Sequence, residues 1–183
     1  NLIITGRRKN KLQTVADKLS YKYAVDILPL AFDVRNLKSV KQAVLKIEKF
    51  EKKIDILLNN AGLAKGFDPI HEGDIEDWEI MIDTNLKGLL YMTRLIAPGM
   101  VKRKKGHIIN IASTAGKEVY PNGNVYCATK HGVDALTKAM RIDLHKYGIR
   151  VSQVAPGHVE ATEFALVRFD GDENKSKIYN DFV

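Results

Sequence analysis

Residues 27–58 read ILPLAFDVRNLKSVKQAVLKIEKFEKKIDILL, and this stretch decides the fold. An apolar run over 27–32 gives way to Leu37, Val40, Val44 and Ile47, spaced by three and four residues behind Asn36, a residue suited to an N-cap. A second apolar run follows over 54–58. Strand, helix and strand at this spacing specify a right-handed βαβ unit with parallel strands. Outward from it, 2–5, 107–111 and 149–155 are further runs nearly continuous in Ile, Val and Leu, the pattern of strands covered on both faces. A second helical pattern carries Trp78, Met81, Ile82, Leu89, Met92 and Leu95 and is expected to stop before Pro98. A third runs from about Val125 to Tyr147 and ends at Gly148, a typical residue just past a helix. The class is a doubly wound α/β domain with a parallel sheet.

Composition agrees with one domain over residues 1–183. The chain has 29 Lys+Arg against 22 Asp+Glu, a net charge of +7, with 45% hydrophobic and 28% charged residues. These values exclude a disordered tail, a fibre and a disulfide scaffold. No apolar stretch approaches the ~20 residues of a membrane span, and no secretory pattern opens the chain. The single cysteine, Cys127, reads as a small buried hydrophobe and suits a reducing, cytoplasmic setting. The lysines are scattered, and the one dense run, Lys102-Arg103-Lys104-Lys105, has no interleaved aromatics to stack bases. Neither a nucleic-acid nor a membrane partner is expected. His71, His107, His131, His145 and His158 lack metal-ligand spacing, and Ser113 has no G-x-S-x-G elbow around it.

In doubly wound sheets ligands sit beyond the C-terminal strand ends. The residues there are Gly6-Arg7-Arg8, Asp33-Val34, Asn59-Asn60-Ala61-Gly62, Ser113-Thr114-Ala115-Gly116 and Pro156-Gly157. All are small, polar or cationic apart from Val34. Tyr126 and Lys130 lie four residues apart at the start of a helix, on one face. A phenol titrates near pH ~10, too high for proton transfer at neutrality, and a neighbouring cation lowers that value. The pair therefore suits general acid/base work on a hydroxyl or carbonyl. Ser113, at a strand end, offers a hydroxyl to polarise the same oxygen, and Asn85 could hold a water that resupplies the proton.

Taken together, Asn59-Asn60-Ala61-Gly62, Asn85, Ser113, Tyr126-x-x-x-Lys130 and Pro156-Gly157 resemble a short-chain dehydrogenase/reductase in order and spacing. Three segments look closer still to the NADP-dependent 3-hydroxy acid dehydrogenases, which include L-allo-threonine/serine dehydrogenases: 78–94 (WEIMIDTNLKGLLYMTR), 106–130 (GHIINIASTAGKEVYPNGNVYCATK) and 156–171 (PGHVEATEFALVRFDG). The resemblance implies a Rossmann fold and proton exchange by Tyr126 while hydride moves to or from nicotinamide. It assigns Lys130 to tune Tyr126 and hold the nicotinamide ribose, Ser113 to hold the substrate oxygen, and Asn85 to extend the proton relay. Asp33 and Val34 would line the adenine, and Asn60, Ala61 and Gly62 would lie along the cofactor. Residues 156–164, with Pro156, Gly157, Val159 and Thr162, would close over the nicotinamide and phosphates.

Cofactor choice has a separate physical argument. Where NAD-specific members place a carboxylate for the ribose 2′-hydroxyl, this chain has Gly6-Arg7-Arg8. Guanidinium groups clamp a 2′-phosphate, so Arg7 and Arg8 favour NADP. A 3-hydroxy acid substrate such as L-allo-threonine, serine or 3-hydroxypropionate carries a carboxylate, for which Arg168 is the candidate cation and Lys117 the second. Alternatives are a 3-ketoacyl or other carbonyl reductase, or a non-catalytic binding member of the fold. Family members often form tetramers through the two long helices, here about 77–97 and 125–147. The glycine-rich loop of the family is missing, since Gly6 is the only glycine before Asn59. In the strand order 3-2-1-4-5-6 the strand not found would lie at mid-sheet. The sequence is thus expected to lack the first strand and its loop as well as the C-terminal elements.

Overall fold

The computed structural model describes residues 1–50, 53–159 and 162–176. Five parallel strands alternate with helices: β1 (Leu2–Gly6), α1 (Lys9–Tyr23), β2 (Ile27–Ala31), α2 (Leu37–Phe50), β3 (Ile56–Asn59), α3 (Ile75–Ile82), α4 (Leu89–Arg103), β4 (Gly106–Ile111), α5 (Asn124–His145) and β5 (Ile149–Val154). Two short helices follow, α6 (Phe164–Arg168) and α7 (Glu173–Ser176). Each strand found from the apolar runs is present within about two residues of its expected ends.

The strands form two sheets, β1–β2 and β3–β4–β5, parallel throughout. Among the described residues β1 and β3 do not pair with each other. Leu57 and Asn59 are buried, whereas Ile56 and Leu58 on the other face are 61% and 54% exposed. Coverage on both faces, expected for every strand, holds for β4 but not for β3.

α2 joins the two sheets. Asn36 caps it, its Oδ1 accepting from the Ser39 N–H at 3.0 Å. Val40 and Val44 pack into the main core with Leu57, Ile108 and Val151, while Ala43 and Ile47 pack under β2 against Leu30. The helical run after residue 75 departs from expectation in two ways. It passes through a π-helical turn, Asp83–Gly88, and α4 continues beyond Pro98 to Arg103. A proline inside a helix costs roughly 3 kcal/mol. Burial of Ile96, Ala97 and Met100 in the core on either side of it offsets that cost. α5 ends at His145, two residues earlier than expected, and Gly148 closes the following turn at φ +72°. A side chain at Gly148 would also stand 3.1 Å from the Lys104 carbonyl oxygen.

Candidate active site

The C-terminal ends of β3, β4 and β5 converge on one cavity of about 740 Å³, lined by Asn60, Gly62, Ser113, Tyr126, Lys130 and Pro156. Its outer wall is the segment after β5, with Val159, Thr162, Glu163 and Phe164. Eight of the expected site residues thus share one space. Glu160 and Ala161, part of the expected 156–164 closure, lie outside the described residues.

Local folding explains how the reacting groups meet. Tyr126 and Lys130 stand one turn apart at the start of α5, both buried, with the Lys130 ammonium 5.8 Å from the Tyr126 ring centroid. The Lys130 Nζ donates to the Ile111 carbonyl at 3.0 Å, at the end of β4. Burial pushes the Lys130 pKa down from 10.5 to about 8. Ser113 follows β4 and caps a 3₁₀ turn, Thr114–Gly116, its Oγ accepting from the Ala115 N–H at 3.1 Å. That turn packs straight onto α5. A Cβ at Gly116 would lie 2.6 Å from the Lys130 carbonyl oxygen, so only glycine allows the turn to approach α5 this closely. The Ser113 hydroxyl donates a long bond, 3.4 Å, to the Pro156 carbonyl, and the Thr114 N–H donates to the same oxygen at 2.9 Å. The end of β5 is thereby tied to the end of β4.

Asn85 lies in the π-helical turn, 2% exposed. Its Oδ1 accepts from the Leu63 N–H, and its Nδ2 donates to the Leu63 carbonyl and to Thr129 Oγ1, at 2.9, 2.9 and 3.0 Å. The amide thus clamps the segment following β3 to α5. Gly62 is held closely as well, since a Cβ there would stand 3.3 Å from both Asn85 Oδ1 and Lys130 Nζ.

The remaining expected residues divide. Arg7 and Arg8 follow β1, away from the cavity lining. Arg8 Nη2 and Lys11 Nζ bond the two carboxylate oxygens of Glu163 at 2.6 and 2.7 Å. These contacts hold Glu163 well below the usual carboxylate range, at about 2. Asp33 is engaged by Arg35 through a fork of 2.6–3.1 Å bonds that keeps its carboxyl low. Val34 packs on the π-helical turn, its Cγ2 2.7 Å from where a Cβ on Gly88 would stand. Ala61 sits between Asn60 and Gly62, and Gly157 follows Pro156 with open space beside it, the nearest atom to an added Cβ being Thr114 Cγ2 at 3.9 Å.

Two expectations are corrected. Arg168 does not line the cavity: it is 1% exposed. Its Nε donates to the Gly66 carbonyl at 2.8 Å and its Nη1 to the Tyr120 hydroxyl at 2.9 Å. Its guanidinium stacks 4.7 Å from the Phe67 centroid, 5.7 Å from Tyr120 and 5.8 Å from Tyr126. It packs against the Tyr126 ring outside the cavity lining. Lys117 is likewise taken, paired at 2.6 Å with Asp134, which also accepts from Lys138 and Gln153.

Sequence reading missed Glu163, and it missed a buried polar tie beneath the strand ends. Asn59 Nδ2 donates to Thr93 Oγ1 at 3.0 Å and to Asn110 Oδ1 at 2.9 Å, and Asn110 Nδ2 donates to Thr137 Oγ1 at 2.9 Å. The two asparagines are register partners on β3 and β4. An asparagine inside each of two apolar runs was the available signal.

The geometry has counterparts among known proteins. The NADP-dependent 3-hydroxy acid dehydrogenase YdfG of Escherichia coli strain K12 is 49% identical over 184 residues, spanning 100% of this chain and 72% of that protein. The NADP-dependent 3-hydroxy acid dehydrogenase of Schizosaccharomyces pombe is 42% identical, over 96% of this chain and 67% of its own. Among solved structures, the closed form of serine dehydrogenase complexed with NADP+ superposes with a TM-score of 0.90 at 46% identity, over 99% of this chain and 71% of that one. The family model described as short chain dehydrogenase matches residues 1–171. With the strand-end cavity and its serine, tyrosine and lysine in place, the chain belongs to the short-chain dehydrogenase family.

Proposed function

We propose that this chain is an NADP(H)-dependent oxidoreductase that interconverts a hydroxyl and a carbonyl on a small 3-hydroxy acid, such as L-allo-threonine, serine or 3-hydroxypropionate. One observation carries the reading: Ser113, Tyr126 and Lys130 line the same cavity, with the Lys130 ammonium beside the Tyr126 ring. The relatives named as NADP-dependent 3-hydroxy acid dehydrogenases supply the substrate class and cofactor.

The residues present fit a phosphorylated dinucleotide. Beyond β1, Arg8 and Lys11 already hold an anion, the Glu163 carboxylate. Gly62 brings backbone to the cavity where an added Cβ would crowd Asn85 and Lys130, and the cavity volume accommodates a nicotinamide and its ribose. Arg7, Arg8, Asp33, Val34, Asn60, Ala61, Gly62, Pro156, Gly157, Val159 and Thr162 are the residues that would hold the cofactor. When bound, the cofactor supplies or accepts the hydride.

The chain's own residues handle the proton. Ser113 turns its hydroxyl from the long Pro156 bond to the substrate oxygen and holds it against Tyr126. Tyr126 gives a proton to that oxygen in reduction and takes one in oxidation. Lys130, as the cation beside it, favours the phenolate. Asn85 fixes the Leu63 segment and α5 around this centre. Phe164, packed 5.7 Å from Tyr126, keeps water from the ring.

Among the described residues no helix is long and apolar enough to cross a membrane. A cytoplasmic location and a homotetramer are part of the proposal. Ile142 on α5, 79% exposed, and Leu90 on α4, 40% exposed, are apolar positions that such an assembly would cover.

The test is NADPH consumption with the keto forms of these acids. Tyr126→Phe is expected to lower kcat by about 10²–10⁴-fold, the usual contribution of positioned acid/base catalysis. Equal rates in the two proteins would overturn the catalytic assignment and favour a binding member of the fold.

A further inference from the structure

We propose that Glu163 is a built-in competitor for the cofactor's 2′-phosphate, so that it helps set NADP affinity and ties the outer cavity wall to cofactor loading. The inference rests on the NADP reading above. Glu163 lies 155 and 152 residues from the two cations it engages, so the contact spans the molecule from the segment after β5 to the start of α1. Each carboxylate oxygen takes one cation: Oε2 from Arg8 at 2.6 Å and Oε1 from Lys11 at 2.7 Å. A phosphate monoester offers the same two anionic oxygens with one more charge. Arg8 is one of the two arginines, with Arg7, that stand where NAD-specific relatives place the ribose-binding carboxylate, so the two anions draw on the same guanidinium. Glu163 takes Arg8 through Nη2 alone, so a phosphate arriving there meets the carboxylate's charge beside it and competes with it for the pair. Lys11, which motif reading did not single out, becomes a second phosphate-binding residue.

The wall is coupled through the same residue. Glu163 immediately precedes α6, whose Phe164 packs edge-on against Tyr126 and whose Arg168 sits behind the same ring. While Glu163 holds Arg8 and Lys11, the start of α6 is tied to the start of α1. A 2′-phosphate that takes the two cations frees Glu163 and with it the start of α6.

The test is calorimetric binding of adenosine 2′,5′-bisphosphate and of 5′-AMP to the full chain and to Glu163→Gln, which keeps the shape and removes the charge. Both ion pairs are half-exposed, and such pairs contribute modestly, so removing the competitor is expected to tighten the bisphosphate about two- to fivefold. 5′-AMP, with no 2′-phosphate, is expected to bind equally to both proteins. Lys11→Ala is expected to weaken the bisphosphate alone. Hydrogen exchange over 162–168 is expected to rise in Glu163→Gln without ligand. Unchanged or weakened bisphosphate binding in Glu163→Gln, or equal tightening of both nucleotides, would overturn the competition. If the unaltered chain binds the bisphosphate no better than 5′-AMP, the NADP reading itself falls and the inference falls with it.

Discussion

Replacing Arg168 separates two readings of one residue, a substrate anchor and a buried support for Tyr126. In the structure the guanidinium is 1% exposed, bonds the Gly66 carbonyl and the Tyr120 hydroxyl, and stacks on Phe67. The Gly66 N–H returns a bond to the Arg168 carbonyl at 3.1 Å, so the two segments hold each other at two points. Hydrogen bonds from a charged donor contribute roughly 1.5–3 kcal/mol each, and a desolvated cation–π contact about 2. Against this stands the solvation a guanidinium regains on removal, which takes back several kcal/mol. Truncation to alanine leaves the Gly66 and Tyr120 oxygens without this donor, and the balance falls at about 3–4 kcal/mol of lost stability. For a domain of this size each kcal/mol moves Tm by about 2–4 °C, so Arg168→Ala is expected to unfold about 6–16 °C lower. Arg168→Met fills more of the space and is expected to lose less. With the Tyr126 ring less supported, kcat falls in both variants, equally for carboxylate and neutral substrates, while KM changes little. A Tm within about 2 °C of the parent, joined to a KM rise confined to carboxylate substrates, would refute this and return Arg168 to the substrate.

Three further outcomes follow from the same geometry. Lys130→Met is expected to abolish turnover yet raise stability at pH 7 by up to about 3 kcal/mol, because the native pKa of about 8 lies below the ordinary 10.5. The unfolded chain binds that proton more tightly, so the parent gains stability as pH rises from 8 to 10.5 and the advantage of the variant closes over that window; urea melts at pH 7 and 10 read it, and a variant less stable at pH 7 would contradict it. Gly116→Ala drives a Cβ against the Lys130 carbonyl 2.6 Å away, which flexible side chains cannot absorb, so about 1–3 kcal/mol of stability and much of kcat should go together. Asn110→Ala removes one partner each from Asn59 and Thr137, which keep Thr93 and the Val133 carbonyl, and should cost about 1–3 kcal/mol, with a coupling above about 0.5 kcal/mol to Thr137→Val in a double-mutant cycle.

The parts of the fold legible in the sequence are those set by neighbours along the chain. The i, i+3, i+4 spacing of Val40, Val44 and Ile47, the Asn36 cap and the turn at Gly148 each depend on residues within a few positions, and each is present. Tyr126 and Lys130 belong to the same class, since one helical turn places them together whatever the rest of the domain does. The misreadings arise where distant packing overrides local preference. Pro98 does not stop α4, because its flanking apolar residues lie against β3 and β4. The π-helical turn around Asn85 likewise has no local cause in the sequence. It fits Gly88 against Val34 and turns Asn85 toward Leu63, a contact between positions 22 residues apart.

Charge placement shows the same limit more sharply. On sequence, Arg8 and Arg168 are equivalent: each is a cation in a loop near a strand end, available to an anion of the cofactor or the substrate. Their environments separate them. Arg8 stays at the surface, and the anion it meets is an exposed carboxylate that a better anion can displace at little cost. Arg168 is sealed among three rings with its Nε and Nη1 bonded, and a substrate carboxylate reaching it would have to break those bonds and shed its own water. Exchangeable cations bind ligands, and committed ones build walls. Only the contact across 155 residues to Glu163, against that across 102 residues to Gly66, tells which is which.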